Sequence, residues 1–303
     1  MENMQNIVIT GSTGIVGRRA VRELRAAGHR VAGVTRSARG RQLLEQLGAS
    51  AIEADVFDEA ALTGAFAGAD AVVNLLTHVP PGNQMATPGA WDENDRLRRE
   101  ASAVIARAAG AAGARRLVQE SVALLYADGG DAWLEEDAPV VPASRTATAL
   151  TAESNASQLF AGDTVLLRFG LFVAPDSALT QGDLENARSG FSPTLGRRDA
   201  YRPTLWLDDA GTAVAAALTA PAGTYNVADE NPPTSSEIDA ALAAVVGLER
   251  LRPAIDEISS DLEFLARSQR VSTRRLREAT GWRPRVRAGT EAWRLMTAEA
   301  QVA

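Results

Sequence analysis

Three glycines recur at a spacing of three in Thr10-Gly11-Ser12-Thr13-Gly14-Ile15-Val16-Gly17, between an apolar strand-like run and a helix-like stretch. Gly11 allows a tight turn, Gly14 lets backbone approach a pyrophosphate, and Gly17 lets helix and strand pack closely. The helix start then offers free N–H groups and a partial positive charge to phosphate. Ser12, Thr13, Ile15 and Val16 complete the loop, and the whole segment is expected to hold a dinucleotide. About twenty residues on, a carboxylate would bind the adenosine ribose hydroxyls, whereas arginine accommodates a 2′-phosphate. Here the run is Val34-Thr35-Arg36-Ser37-Ala38-Arg39, and the next acid is Glu45. Arg36, assisted by Ser37 or Arg39, therefore points to NADP(H). Asp55, ending the third strand, is placed to meet the adenine edge.

Proton chemistry is in shorter supply. All 31 basic positions are arginine, with no lysine and no cysteine, two histidines and three tyrosines. That excludes a Schiff-base lysine, a Tyr-x-x-x-Lys pair, disulfides and thiolate metal sites. Ser121 is the candidate hydroxyl near a reacting carbonyl, set against an ordinary strand-end serine. His78 either touches substrate or sits in solvent, and His29 reads as structural. Glu135-Glu136-Asp137 has no histidine at ligand spacing, so no metal is expected. Arg188, Arg197, Arg198 and Arg202 form either a cradle for an acidic or phenolate substrate or a solvated face. A net charge of −7 argues against nucleic-acid binding. No apolar run reaches eighteen residues and the N-terminal residues are short and polar, so neither a membrane span nor a secretory signal is expected. The expected setting is cytoplasmic.

These groups need a scaffold. Apolar runs at Asn6–Thr10, Arg30–Thr35, Ala51–Asp55, Ala71–Leu76, Arg116–Gln119 and Thr164–Phe169 read as strands covered on both faces. Helical stretches such as Ile15–Ala27, Arg41–Leu47, Glu59–Ala67 and Glu93–Ala112 alternate with them. The expected fold is α/β, a Rossmann-type doubly wound parallel sheet over residues 1–177, its sheet open to completion by later residues. Residues 178–303 read as a smaller mixed α/β substrate-binding lobe, with helices at Ala210–Ala220 and Ser235–Val246 and an Arg-rich segment from Arg267 to Arg287.

With its T-G-x-x-G-x-x-G loop, the chain resembles the extended short-chain dehydrogenase/reductase family over nearly its whole length. Asp55-Val56, Asn74-Leu75-Leu76, the stretch Leu117–Ser121 up to Tyr126, and Leu167-Arg168-Phe169-Gly170-Leu171-Phe172 carry the resemblance. So do Trp206–Ala210, Gly223–Val227 and Gly281-Trp282-Arg283-Pro284. The resemblance implies that Asp55, Val56, Leu75, Leu76 and Phe169 line the cofactor. It also implies carbonyl/alcohol oxidoreduction by a Ser, a Tyr acid and a Lys four residues later. Counted from Tyr126, the Ser position is Val122, with Ser121 one residue early. Registered on Glu153, the Tyr and Lys positions fall near Arg145 and Ala149, so the relay is absent.

Losing a general acid slows a reaction on the order of 10²–10⁴-fold, about 3–5 kcal/mol of barrier. A substrate that brings its own acid recovers that loss. A ketone flanked by phenols, as in aromatic polyketides, carries a group with a pKa near the roughly 10 of tyrosine. Phe191, Pro193, Tyr201, Pro203 and Trp206 concentrate in the second lobe, and Pro80, Pro81, Met85 and Trp91 in the loop after the fourth strand. His78, Tyr126, Phe191, Tyr201 and Trp206 are the candidate substrate contacts. Within the family the chain is similar to actinobacterial angucyclinone ketoreductases, of the kind that serves simocyclinone biosynthesis. The expectation is an NADPH-dependent ketoreductase, monomer or homodimer, whose partner is a small aromatic ketone. A non-catalytic NADP-binding redox sensor is the alternative, followed by a nucleotide-sugar epimerase or dehydratase.

Overall fold

The computed structural model describes residues 4–80, 84–85, 87–255, 257–260 and 262–300; Pro81 lies outside them. The chain alternates β1 (Asn6–Thr10), α1 (Ile15–Ala26), β2 (Arg30–Val34), α2 (Ala38–Gln46), β3 (Ser50–Ile52), α3 (Glu59–Ala65) and β4 (Ala71–Asn74). It continues through α4 (Asp92–Arg96), a π turn at Leu97–Ala101, α5 (Ser102–Ala111), β5 (Arg116–Val122), the short β6 (Trp133–Leu134), α6 (Ala147–Leu159) and β7 (Asp163–Phe169). Seven parallel strands form one sheet, but only six come from this half. The seventh is β11 (Gly223–Val227), in the order β11-β7-β5-β4-β1-β2-β3. The fold is the expected Rossmann-type doubly wound sheet. Strand order reverses between β1 and β4, which opens a crevice at their carboxyl ends where such sheets bind ligands.

Apolar runs make this sheet because both of its faces are covered. Ile7, Ile9, Val73 and Leu167 point into one core with α1 and the helix α8 (Leu207–Ala217). Val8, Val72, Leu117 and Leu166 point into the other with α3, α5 and α6. The sequence set the strands' positions better than their ends. The third strand stops at Ile52 and the fourth at Asn74, whereas β5 runs on to Val122 and so carries Ser121. The second helix starts at Ala38 rather than Arg41, because Ser37 caps it by accepting the Gly40 N–H at 3.0 Å. The helical stretch from Glu93 is interrupted by the π turn, which holds buried Arg98 against Glu120 at 3.1 Å.

The remaining residues build a second core. After β8 (Leu171–Val173) come α7 (Ala178–Arg188), β9 (Phe191–Ser192) and β10 (Thr204–Trp206); then, following α8 and β11, α9 (Ser235–Val246), β12 (Arg252–Pro253), β13 (Arg270–Val271), α10 (Arg274–Thr280) and α11 (Ala292–Ala300). A Thr234/Glu237 capping box starts α9 and left-handed Gly247 ends it. Leu184, Ile238, Leu242, Trp293 and Met296 meet in the second core. Short parallel pairs, β10 with β8, β12 with β9 and β13 with β6, lace this lobe together and back onto the segment after β5. Among the described residues no helix is long and apolar enough to cross a membrane.

Candidate active site

The glycine loop packs closely against its own scaffold. Gly11 has φ +73°, and a Cβ there would lie 2.5 Å from the Leu75 carbonyl oxygen. A Cβ on Gly17 would lie 2.0 Å from the Gly11 oxygen, so only glycine lets α1 start this close to β1. Gly14 is exposed and caps α1 with no side-chain hydrogen bond, and the first turn holds no acid. The first-turn N–H groups therefore face outward uncapped, which fits a pyrophosphate. Ser12 is buried and donates to the Val34 carbonyl at 3.4 Å, tying the loop to β2. Thr13, Ile15 and Val16 lie at least partly open around it.

Across the carboxyl ends of three strands runs a buried chain of side-chain hydrogen bonds. Thr10 donates to Asn74 at 2.7 Å, Asn74 to Gln119 at 2.8 Å, and Gln119 to the Glu120 carbonyl at 2.8 Å. Asn74 also accepts the Leu76 N–H at 3.2 Å, which sets the path of Leu75 and Leu76 as they leave β4 beside Gly11. Just past the end of β2, Arg36 stands beside Asp55 at 3.9 Å, with both side chains at least half exposed. Val56 follows Asp55 and packs partly against the core on the face covered by α3, α5 and α6. Phe169 ends β7 inside the core, with its ring 5.7 Å from Phe172.

Ser121 and Tyr126 prove to be members of one buried network. The Ser121 hydroxyl donates to Glu153 Oε1 at 2.6 Å. Arg168 clamps the same carboxylate with two bonds of 2.8 Å and donates to the Tyr126 oxygen at 3.0 Å. Tyr126 donates in turn to Asn226 at 2.7 Å. A hydroxyl has one proton to give. Ser121 gives its proton to Glu153, so it can present only lone pairs to a substrate. Tyr126 is fully buried, and burial raises its phenol above the usual value, outweighing the lowering influence of Arg168. Burial alone would lower the Arg168 guanidinium, but the bonded Glu153 carboxylate reverses that and holds it charged.

Sequence order concealed the network: Glu153 lies 32 residues from Ser121 and 15 from Arg168. One signal was available, an arginine ending the otherwise apolar run Val165-Leu166-Leu167, where a buried strand position demands a partner.

The aromatic candidates divide. Phe191 on β9 is 38% exposed under Arg252 at 5.1 Å, Tyr201 lies 4.7 Å from the Arg270 guanidinium, and Trp206 packs partly against the second core. These are three separate settings. His78 is exposed and its backbone N–H is held by Asn94 at 3.1 Å. An open cleft forms elsewhere, lined by Met85, Trp91, Arg145, Ser259, Leu262, Phe264 and Leu265. Trp91 donates from its indole to the Met85 carbonyl at 3.0 Å, and the Arg145 guanidinium lies 5.8 Å from the Trp91 ring. Met85 and Trp91 were visible in the sequence as loop apolars; the second-lobe wall was not. The other wall, with Arg145, comes from the sheet's carboxyl edge. Met85 and Trp91 follow β4, and Arg145 precedes α6, a crossover helix that runs antiparallel to its strands.

Comparison with known proteins extends this picture. The profile of the NAD dependent epimerase/dehydratase family matches residues 7–228. A Streptomyces sp. protein, 3-diazoavenalumate denitrifying reductase, is 29% identical over 295 residues, 92% of this chain and 95% of that one. The decarboxylating sterol-4-alpha-carboxylate 3-dehydrogenase of Dictyostelium discoideum is 34% identical over 81 residues, 27% of this chain and 25% of its own. Among solved structures, UDP-glucose 4-epimerase of Thermus thermophilus with NAD has a TM-score of 0.75 at 24% identity, covering 98% of this chain and 99% of that one. Bordetella bronchiseptica WbmG with NAD and UDP has a TM-score of 0.76 at 22% identity, covering 99% and 96%. At such identities the structures speak for the fold alone.

Proposed function

The chain belongs to the NAD dependent epimerase/dehydratase family, and from that membership we propose an NADPH-dependent ketoreductase that reduces an aromatic, angucyclinone-like polyketide ketone. The observation that carries this reading is the Ser121–Glu153 bond of 2.6 Å, locked by Arg168. The residues nearest the missing relay are committed to one another, which supports a proton drawn from the substrate or from water. The likeness to a Streptomyces reductase over 92% of the chain supports a reductase. Gly11, Gly14, Gly17 and the open first turn of α1 would hold the pyrophosphate, and Asp55 the adenine edge. Arg36 supports NADPH over NADH, since no carboxylate follows β2 and the pairing with Asp55 leaves the guanidinium open to a phosphate.

When bound, the cofactor supplies hydride to the carbonyl carbon. The residues of this chain orient, desolvate and leave the acid to others. Trp91, Met85, Phe264 and Leu265 offer a flat apolar wall to the ring system. A phenol beside the carbonyl is already hydrogen-bonded to the reacting oxygen and passes its proton across, so proximity replaces the protein acid. Water then returns a proton to the phenolate.

Loss of NADPH absorbance should follow addition of a peri-hydroxytetralone, and the methyl ether of the same ketone should react on the order of 10²-fold or more slowly. Equal rates would move the acid back onto the protein. Tight NADPH binding with no turnover of any hydroxyketone would overturn the reductase and leave the NADP-binding sensor.

A further inference from the structure

Of the four second-lobe arginines that the sequence leaves as either a substrate cradle or a solvated face, Arg188, Arg197 and Arg198 are exposed, whereas Arg202 is only 4% exposed. We propose that Arg202 is a positioning residue for the cleft: its guanidinium ties together backbone carbonyls of two turns and so sets the wall of Leu262, Phe264 and Leu265 against Met85 and Trp91. The inference deepens the reading of this cleft as the ketone site and rests on it.

Arg202 is bonded in a way that few buried cations are. Its Nε donates to the Ser235 hydroxyl at 2.8 Å. One terminal nitrogen donates to the carbonyls of Leu265 and Arg267, the latter at 3.1 Å, and the other donates to the Leu195 carbonyl. All four acceptors are neutral. Asp239 and Asp128 act on the guanidinium only from a distance, because each is engaged elsewhere. Asp239 accepts from Ser192 at 2.6 Å and from Arg198 at 3.4 Å, and Asp128 accepts the backbone N–H groups of Ser268 at 3.1 Å and Gly130 at 2.9 Å. Burial pushes Arg202 down to about 10, which still leaves it charged at neutral pH. Desolvating a cation without a bonded carboxylate is costly. What it secures here is geometry, since a planar fork of five donors fixes the direction of each carbonyl as well as its distance.

Those carbonyls belong to the cleft wall. Leu265 lines the cleft and shares the short turn Glu263–Leu265 with Phe264. A close approach beside Arg202 supports the same turn. Gly196, next to Leu195, has φ +78°, and a Cβ there would lie 2.7 Å from the Ala266 carbonyl oxygen. Backbone therefore lies on backbone where Arg202 joins the two turns. Further along, Arg267 donates to the carbonyls of Tyr126 at 3.3 Å and Val141 at 2.6 Å, and Gln269 donates to that of Tyr126 at 2.7 Å. The wall is thus braced twice, by Arg202 within the second lobe and by Arg267 and Gln269 on the loop after β5.

Emodin, a flat hydroxylated anthraquinone, reads the cleft without turnover when its visible absorbance is followed in a titration. Arg202→Gln should raise the emodin Kd about tenfold while NADPH affinity stays within about twofold. Phe264→Ala should raise the emodin Kd comparably, because it removes part of the wall itself. If Arg202 acts through that wall, adding Arg202→Gln to Phe264→Ala should change the Kd by less than about threefold, whereas independent effects would multiply. Gly196→Ala keeps the guanidinium and disturbs the same turn, so it should weaken emodin in the same way, and it carries the cycle if Arg202→Gln does not fold. An unchanged emodin Kd in the variant, effects that multiply with Phe264→Ala, an equal loss of NADPH affinity, or no emodin binding to the wild type would each overturn the role of Arg202. Turnover of the peri-hydroxytetralone by the wild type tests the reductase itself, so the two failures are distinguishable.

Discussion

Two arginine–carboxylate pairs stand at opposite ends of the candidate site. Arg36 and Asp55 lie 3.9 Å apart with side chains 65% and 50% exposed. Arg168 and Glu153 make two bonds of 2.8 Å with side chains 9% exposed. An exposed pair is worth about 0–1 kcal/mol, so a ligand phosphate can displace Asp55 at little expense. Breaking a buried pair leaves an uncompensated charge, at about 3–5 kcal/mol. The same pairing is therefore labile at the surface and durable in the interior. Permanence is what sets Glu153 apart from Asp55: its carboxylate is held by Arg168 and Ser121 together.

The largest expected effect comes from breaking the permanent pair. Glu153→Ala should lower unfolding stability by roughly 3–5 kcal/mol in denaturant titration; a loss below about 1 kcal/mol would make the two pairs equivalent. Asp183 on α7, partly buried, sharpens the comparison from the opposite side, since desolvation with no offsetting cation or donor among the described residues pushes it up to about 7. Its folded pKa is above the unfolded value, so stability is fully present below about pH 4 and is lost as pH rises through about 7. Asp183→Asn should therefore raise the melting temperature by several degrees at pH 8, roughly 2–4 kcal/mol, and leave it unchanged at pH 4. A flat pH response would remove Asp183 from the argument.

At the exchangeable pair the effect is on binding. Arg36→Glu should weaken NADPH relative to NADH by about tenfold or more, measured by fluorescence titration, while stability stays within about 0.5 kcal/mol. An unchanged preference would remove NADP selectivity from this residue. The smallest effect is expected at Ser121→Ala. Arg168 still holds Glu153, so stability should fall by about 0.5–1.5 kcal/mol, and turnover of the hydroxytetralone should change less than about threefold if the proton comes from the substrate. A collapse in turnover would give Ser121 a part in the chemistry that its bond to Glu153 argues against.

The two pairs also differ in how far the sequence exposed them. Arg36 stood out because it follows an apolar strand, about twenty residues after a contiguous glycine loop. Arg168–Glu153 was not, because each residue looks ordinary in its own element. The aromatic cleft divides the same way. Met85 and Trp91 stood out as apolar residues in a loop, but Phe264 and Leu265 belong to a short turn far along the chain. Phe191, Tyr201 and Trp206, clustered in the sequence, are held by different neighbours because strands β9 and β10 belong to different two-stranded pairs.

What the sequence determined alone is everything that depends on presence or on neighbours along the chain. The glycine cradle follows from residues within one turn, and the missing proton relay follows from a chain without lysine, which no folding can remedy. The tertiary structure decided where protons and charges are held. It bound the Ser121 proton to Glu153 and brought Arg145 beside Trp91, because sheet order and helix packing, not spacing, set which distant side chains meet.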